Sequence, residues 1–109
     1  MTKQQEFPRP LNFPYEKVFY FDGQVALMYG TYKNTPHRSL GMRWMEAESD
    51  LGFPNTFGRE MWMVVPDRLA KYILAGLLID AGSSKVQVDV GMMNQALLEI
   101  SERTRGARS

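Results

Sequence analysis

Histidine is the usual general base of neutral-pH catalysis, and this chain has one, His37, in a hydrophilic turn after Pro36. No cysteine is present among the 109 residues, which removes thiol nucleophiles, disulfides and thiolate metal sites together. Zinc would have to rest on carboxylates around a single imidazole, an unsuitable donor set. The acidic run Glu46, Glu48 and Asp50 offers hard oxygen ligands but lacks the glycine turn and terminal glutamate of a calcium loop. Asp22, Glu46, Glu60 and Asp67 are the acids from which a glycoside-type carboxylate pair would come, yet no spacing singles out two of them. There is no Gly-x-Ser-x-Gly elbow, and the junction Val65-Pro66-Asp67 puts an aspartate where a phosphate loop needs glycines. The expectation is a chain that is not an enzyme, with no catalytic residues, metal or cofactor.

What stands out instead is aromatic residues interleaved with cations. Tyr29, Tyr32, Trp44, Phe53, Phe57 and Trp62 alternate with Lys33, Arg38, Arg43, Arg59 and Arg68. Single-stranded nucleic acid binds by stacking bases on aromatics while cations follow the phosphates. Against this, Trp44 and Arg43 are neighbours and so face opposite sides of a strand. The simpler expectation puts Trp44 and Trp62 in the core and the arginines on a wet side. Eight methionines add a second theme, since methionine suits both core filling and pliable binding surfaces. The expected ligand surface joins the 33–38 turn to the 52–59 loop, where Phe53, Phe57, Arg38 and Arg59 would meet a ligand, with Arg43 and Tyr32 beside them.

The elements that must position these residues are legible in the periodicity. Residues 1–15 read as an extended arm, because Pro8, Pro10 and Pro14 cannot donate to a ladder. Asp22-Gly23 between two β-type runs signals a hairpin of strands at 17–21 and 24–32. Arg38 to Met45 alternates as a third strand, with Leu40, Met42 and Trp44 on one face and Ser39, Gly41 and Arg43 on the other. Residues 46–59 read as a loop and 60–65 as a fourth strand. A helix then runs from Pro66 to about Ala81, with Gly82 as its stop.

Residues 85–90 alternate as a fifth strand would, yet Val86, Val90, Met93, Leu97 and Ile100 also form one helical face, and Ser84 with Gln87 matches a capping box. A second helix over 85–103 is the favoured reading, with a frayed tail at 104–109. In the first helix Leu69, Tyr72, Ile73 and Leu77 form one apolar stripe, and Ala70, Leu74 and Leu78 form another. A sheet covers one of them. The other needs either the C-terminal helix or a second copy of the chain.

The predicted order of four antiparallel strands and a helix over residues 17–81 resembles the single-stranded-DNA-binding fold of the Whirly and transcriptional positive-cofactor families. That resemblance implies a dimer whose sheet binds the strand. Bulk composition agrees with a folded chain: 44% hydrophobic, 23% charged, formal net charge +1. The start lacks the apolar core of a signal peptide, the stretch Tyr72 to Ile79 is too short to span a bilayer, and a chain without disulfides suits the cytoplasm. The expectation is therefore a single α+β domain: a twisted antiparallel sheet of about four strands, then one or two C-terminal helices packed on one face. Its function is expected to be binding, as a homodimer, of a protein or small molecule, with single-stranded nucleic acid as the alternative ligand and no membrane partner.

Overall fold

Three alternating runs build the centre of the sheet. The computed structural model describes residues 7–33, 35–45, 52, 54–56, 59–79 and 87–106, the side chains of 55, 56, 59, 87 and 106 excepted. Strands β1 (Tyr15–Phe21), β2 (Val25–Gly30) and β3 (Ser39–Trp44) form an antiparallel meander. The Asp22-Gly23 turn forms as expected: Gly23 takes a φ of 95°, and Asp22 Oδ1 accepts the N–H groups of Gln24 (2.9 Å) and Val25 (2.8 Å). A side-chain acceptor inside the turn satisfies donors that the ladder leaves over and holds the register.

The expected fourth strand is divided. Arg59–Glu60 (β5) pairs with Asn55–Thr56 (β4) in a small separate hairpin, and only Met63–Val65 (β6) joins the main sheet beside β3. At the far edge Gln87–Val88 (β7) pairs with β1, so the order is β6-β3-β2-β1-β7, antiparallel throughout. Helix α1 (Asp67–Ile79) follows β6, and helix α2 (Val90–Gly106) follows β7. The architecture is α+β, an antiparallel sheet with two helices on one face.

Both helices start where side-chain and backbone chemistry permit. The Pro66 carbonyl accepts the N–H groups of Leu69 (3.0 Å) and Ala70 (2.8 Å), so proline stands just outside the first helical residue, where its missing donor costs nothing. Asp89 caps α2, its Oδ1 accepting the Met92 N–H at 3.0 Å. This corrects the expected helix over 85–103. The Asp89 N–H is bound to the Phe19 carbonyl (2.7 Å), which keeps residues 87–88 extended along β1 until the cap. At the other end α2 continues through Gly106 rather than fraying from Thr104. The expected stop at Gly82 lies outside the described residues.

Two cores result. Between helices and sheet lie Phe19, Leu27, Tyr29, Leu40 and Val65 from the strands, with Ala70 and Leu74 from α1 and Met93, Ala96 and Ile100 from α2. The second helix thus meets the Ala70–Leu74–Leu78 stripe. The other stripe splits: Ile73 and Leu77 pack inward, while Leu69 and Tyr72 are exposed. On the opposite face of the sheet the N-terminal arm lies across the strands, and Phe13, Tyr15, Ala26, Met28 and Trp62 form a second cluster flanked by Phe7, Val18, Phe21, Tyr32 and Val64. Gly41 leaves the space there that Met28 and the Phe13 ring occupy.

Pro54, Glu60 and Met61 cover the side of β3 expected to be wet, while Leu40 and Met42 face the helix-side core as expected. Trp62 is core, as expected, but Trp44 is 37% exposed and Arg43 is 1% exposed. With the second face covered, Arg43 points into protein rather than water. Its Nη1 donates to the carbonyls of Pro54 (3.2 Å) and Met61, and Nη2 lies 3.4 Å from Glu60 Oε2. Gly52, at a φ of 75°, admits this arrangement, since a Cβ there would strike the Trp44 carbonyl and the Arg43 guanidinium.

Candidate functional site

Three elements end together around one cleft. The turn before β3 brings Thr35, Pro36, His37 and Ser39, the first turn of α1 brings Asp67 and Arg68, and the last turns of α2 bring Arg103 and Thr104. They enclose about 600 Å³, within the range of small-ligand sites. The junction at Pro66 sets one wall. It starts α1 at the edge of the sheet where the 35–39 turn emerges.

Two of the lining residues, Asp67 and Arg103, belong to a hydrogen-bonded ionic network that continues behind the cleft. Arg103 makes a two-pronged pair with Asp67, Nε to Oδ2 and Nη2 to Oδ1, both 3.1 Å. The same guanidinium donates to the Arg38 carbonyl (2.7 Å) and to the Tyr29 hydroxyl (3.3 Å). Tyr29 in turn donates to Glu99 Oε1 at 2.8 Å, and Arg38 Nη2 reaches both Glu99 oxygens at 3.1 and 2.9 Å. Arg38 also lies over the Tyr29 ring, 4.6 Å from its centroid, and Gln95 donates to Glu99 Oε2. Each charge is met by an opposite charge or a dipole, so the network holds its geometry before any ligand arrives.

The protonation states follow. Burial raises the Glu99 carboxyl, but hydrogen bonds from Tyr29 and Gln95 and the Arg38 charge outweigh it and hold the group below the usual carboxylate value. Burial works against the Arg103 charge, and its bonds to Asp67 and Tyr29 more than restore it. Burial keeps the Tyr29 hydroxyl protonated, assisted by the neighbouring Glu99, although Arg103 opposes the shift. The network is thus a fixed set of charges with a neutral phenol between them.

Of the residues expected to form one surface, the described side chains of Arg38, Arg43 and Tyr32 lie in separate surroundings. Arg38 and Arg43 stand at opposite ends of β3, five residues or about 16 Å apart along the strand. Arg38 belongs to the network behind the cleft, paired with Glu99 and accepting from Arg103 through its carbonyl. Arg43 is buried beside the β4–β5 hairpin, with its pKa pushed down by desolvation and partly restored by Glu60. Tyr32 packs edge-on against Phe13 at 5.2 Å, with Lys33 over its ring. Phe53 and Phe57 lie outside the described residues, and of Arg59 only the backbone is described, in β5. His37 is exposed at the mouth of the cleft.

Family models, curated proteins and solved structures were compared with the chain, and none matches. Among the described residues no three His, Asp or Glu side chains form a metal cluster, and no helix is long and apolar enough to cross a membrane.

Sequence reading missed Glu99 and Arg103 as site residues and offered Asp67 only among four candidate acids. A signal was available: Gln95, Glu99 and Arg103 recur at a spacing of four, which puts them on one edge of α2 beside its buried stripe. What it could not supply was the partner across the gap, because Tyr29 and Asp67 come from elements 74 and 36 residues away from Arg103.

Proposed function

We propose that this chain is a non-enzymatic binding module that acts as a homo-oligomer and takes a small polar molecule or a short peptide segment in the cleft at the helix ends. The observation that carries this reading is the convergence there of Arg68, His37 and the hydroxyl residues Thr35, Ser39 and Thr104 above a floor whose own charges are already paired. A prearranged floor lowers the ordering cost of binding. An exposed cation at the mouth, Arg68, favours a ligand that carries a carboxylate or phosphate.

The alternative ligand, single-stranded nucleic acid on the sheet, has less support. Helices cover one face, and on the other Tyr15, Trp62, Phe13, Tyr32, Phe7 and Phe21 stack pairwise on one another. Bases would have to displace the arm.

Thermal unfolding in the presence of inorganic phosphate, citrate and a short acidic peptide tests the proposal. At least one of these raises the melting temperature of the parent protein, and the rise is lost in Arg68→Ala. A ligand at one hundred times its Kd stabilises by about 2.7 kcal/mol, which is easily read. A rise that persists in Arg68→Ala, or no rise with any of the three, overturns the cleft as the site. Titration of a fluorescent single-stranded oligonucleotide at two salt concentrations decides the alternative, because backbone binding falls steeply with salt.

A further inference from the structure

Helix α1 carries its charges, Asp67, Arg68 and Lys71, in its first turns and is apolar beyond them. From Tyr72 to Ile79 it carries no charged residue, and a helical stretch of that kind is buried on every side. Here it is buried on one side only. The opposite side exposes Leu69 (58%), Tyr72 (69%) and Ile79 (84%), with Ala75 and Gly76 exposed between them. The outer side of α2 is the contrast: Asn94, Gln95, Glu102 and Arg105 are exposed there, with Val90 and Leu98 among them.

Gly76 is a second, independent observation. Glycine in mid-helix costs about 1 kcal/mol relative to alanine, and nothing among the described residues requires it, since a Cβ at 76 would meet none of their atoms within 4 Å. The position is an empty socket on the apolar side, one turn from the largest exposed side chain, Tyr72.

From this arrangement we infer that the outer side of α1 binds the same side of a second copy, with the two helices antiparallel about a two-fold axis level with Leu74. The inference rests on the homo-oligomer reading above and names its interface. A two-fold interface must be complementary to itself, and the stripe is. Counted from position 74, Tyr72 and Gly76 lie two residues to either side, and Leu69 and Ile79 lie five. An antiparallel partner sets each Tyr72 ring on the other copy's Gly76 and each Leu69 against an Ile79. A parallel partner would set ring on ring and socket on socket.

Charge agrees with the antiparallel sense. Arg68 and Lys71 lie in the first turns of α1, while its last turn has no basic residue to meet the carbonyl end of the dipole. The partner's first turn brings those cations to that end.

Sedimentation equilibrium and cysteine cross-linking of the full chain test the inference. The parent sediments at twice 12.5 kDa. Gly76→Arg fills the socket with bulk and charge while improving helix propensity, so it keeps its circular dichroism and sediments as a monomer, with Kd raised at least tenfold. As the chain has no cysteine of its own, Leu69→Cys and Ile79→Cys each introduce a single thiol. Mixed, they form the 69–79 disulfide, and neither forms one alone, because like positions stand about 15 Å apart along the axis. A parent that is monomeric at all concentrations overturns both the interface and the homo-oligomer reading. A dimer that survives Gly76→Arg overturns the interface alone. Disulfides of 69 to 69 overturn the antiparallel sense.

Discussion

The two faces of the sheet are closed by opposite means. On the helix side, aliphatic residues from α1 and α2 press on Leu27, Leu40 and Val65, and the helices satisfy their own backbones. On the arm side, a proline-rich segment without a ladder of its own must borrow hydrogen bonds. The Pro8 carbonyl accepts from both Trp62 Nε1 and the Tyr15 hydroxyl, each at 2.9 Å. Arg9 donates to the carbonyls of Tyr15 (2.7 Å) and Glu16 (3.0 Å) and lies over the Tyr15 ring. The Pro14 and Asn12 carbonyls accept from Thr31 and Lys33. A helix brings its polar satisfaction with it, so its contact with the sheet can be purely apolar. An extended arm cannot, so aromatic residues with polar tips collect wherever it lies.

The contrast breaks most visibly by deletion from each core. Leu74→Ala, on the helix side, is expected to cost about 2–5 kcal/mol in denaturant unfolding and to lower protection of every slow amide, because both helices lose a shared contact. Phe13→Ala is expected to act locally. The arm is attached at one end, so it undocks, and the Thr31 and Lys33 amides lose protection while α2 keeps its own. Loss of α2 protection in Phe13→Ala would mean that the faces form one cooperative unit.

A smaller effect sharpens the polar half of the comparison. Tyr15→Phe removes one donor to the Pro8 carbonyl at about 1 kcal/mol, and Trp62→Phe removes the other at about 1 kcal/mol plus the cost of the cavity it leaves in the core. Because the donors share an acceptor, the double variant should cost measurably more than the sum, as the carbonyl is then left without either; simple additivity would mean that water replaces them.

The smallest effect concerns the network behind the cleft. Glu99 titrates lower in the folded protein than in the unfolded chain, so the unfolded chain binds more protons on acidification. Its contribution is complete above the ordinary carboxylate value, about 4.3, and is lost as pH falls through the folded value. Glu99→Gln should therefore be less stable than the parent at pH 7, by about 1 kcal/mol or less given its partial exposure, and the gap should close below pH 4. A gap unchanged by pH would remove the Arg38 charge from the account.

Legibility differed by element for physical reasons. The Asp22-Gly23 hairpin and the Val65-Pro66 strand-to-helix switch were readable because turn chemistry acts over a few residues. The start of α2 was misread because its capping aspartate is held by β1, some seventy residues earlier in the chain. Arg43 was misread because alternation tells which residues share a face and says nothing of what covers it. Half of the cleft was readable in kind, through the 33–38 turn, but the helix ends that complete it were not.

By itself the sequence determined the β1–β2 hairpin, the third strand, the strand-to-helix switch at Pro66, the apolar character of both α1 stripes and the absence of cysteine, all of which follow from local residue type and period. Tertiary structure alone decided that an arm closes the second face, that Arg43 is buried while Trp44 is exposed, and that Arg38, Asp67, Glu99 and Arg103 meet around Tyr29. Those outcomes depend on which distant surfaces come into contact, and they are settled by the joint cost of leaving apolar area and hydrogen-bonding groups unmet.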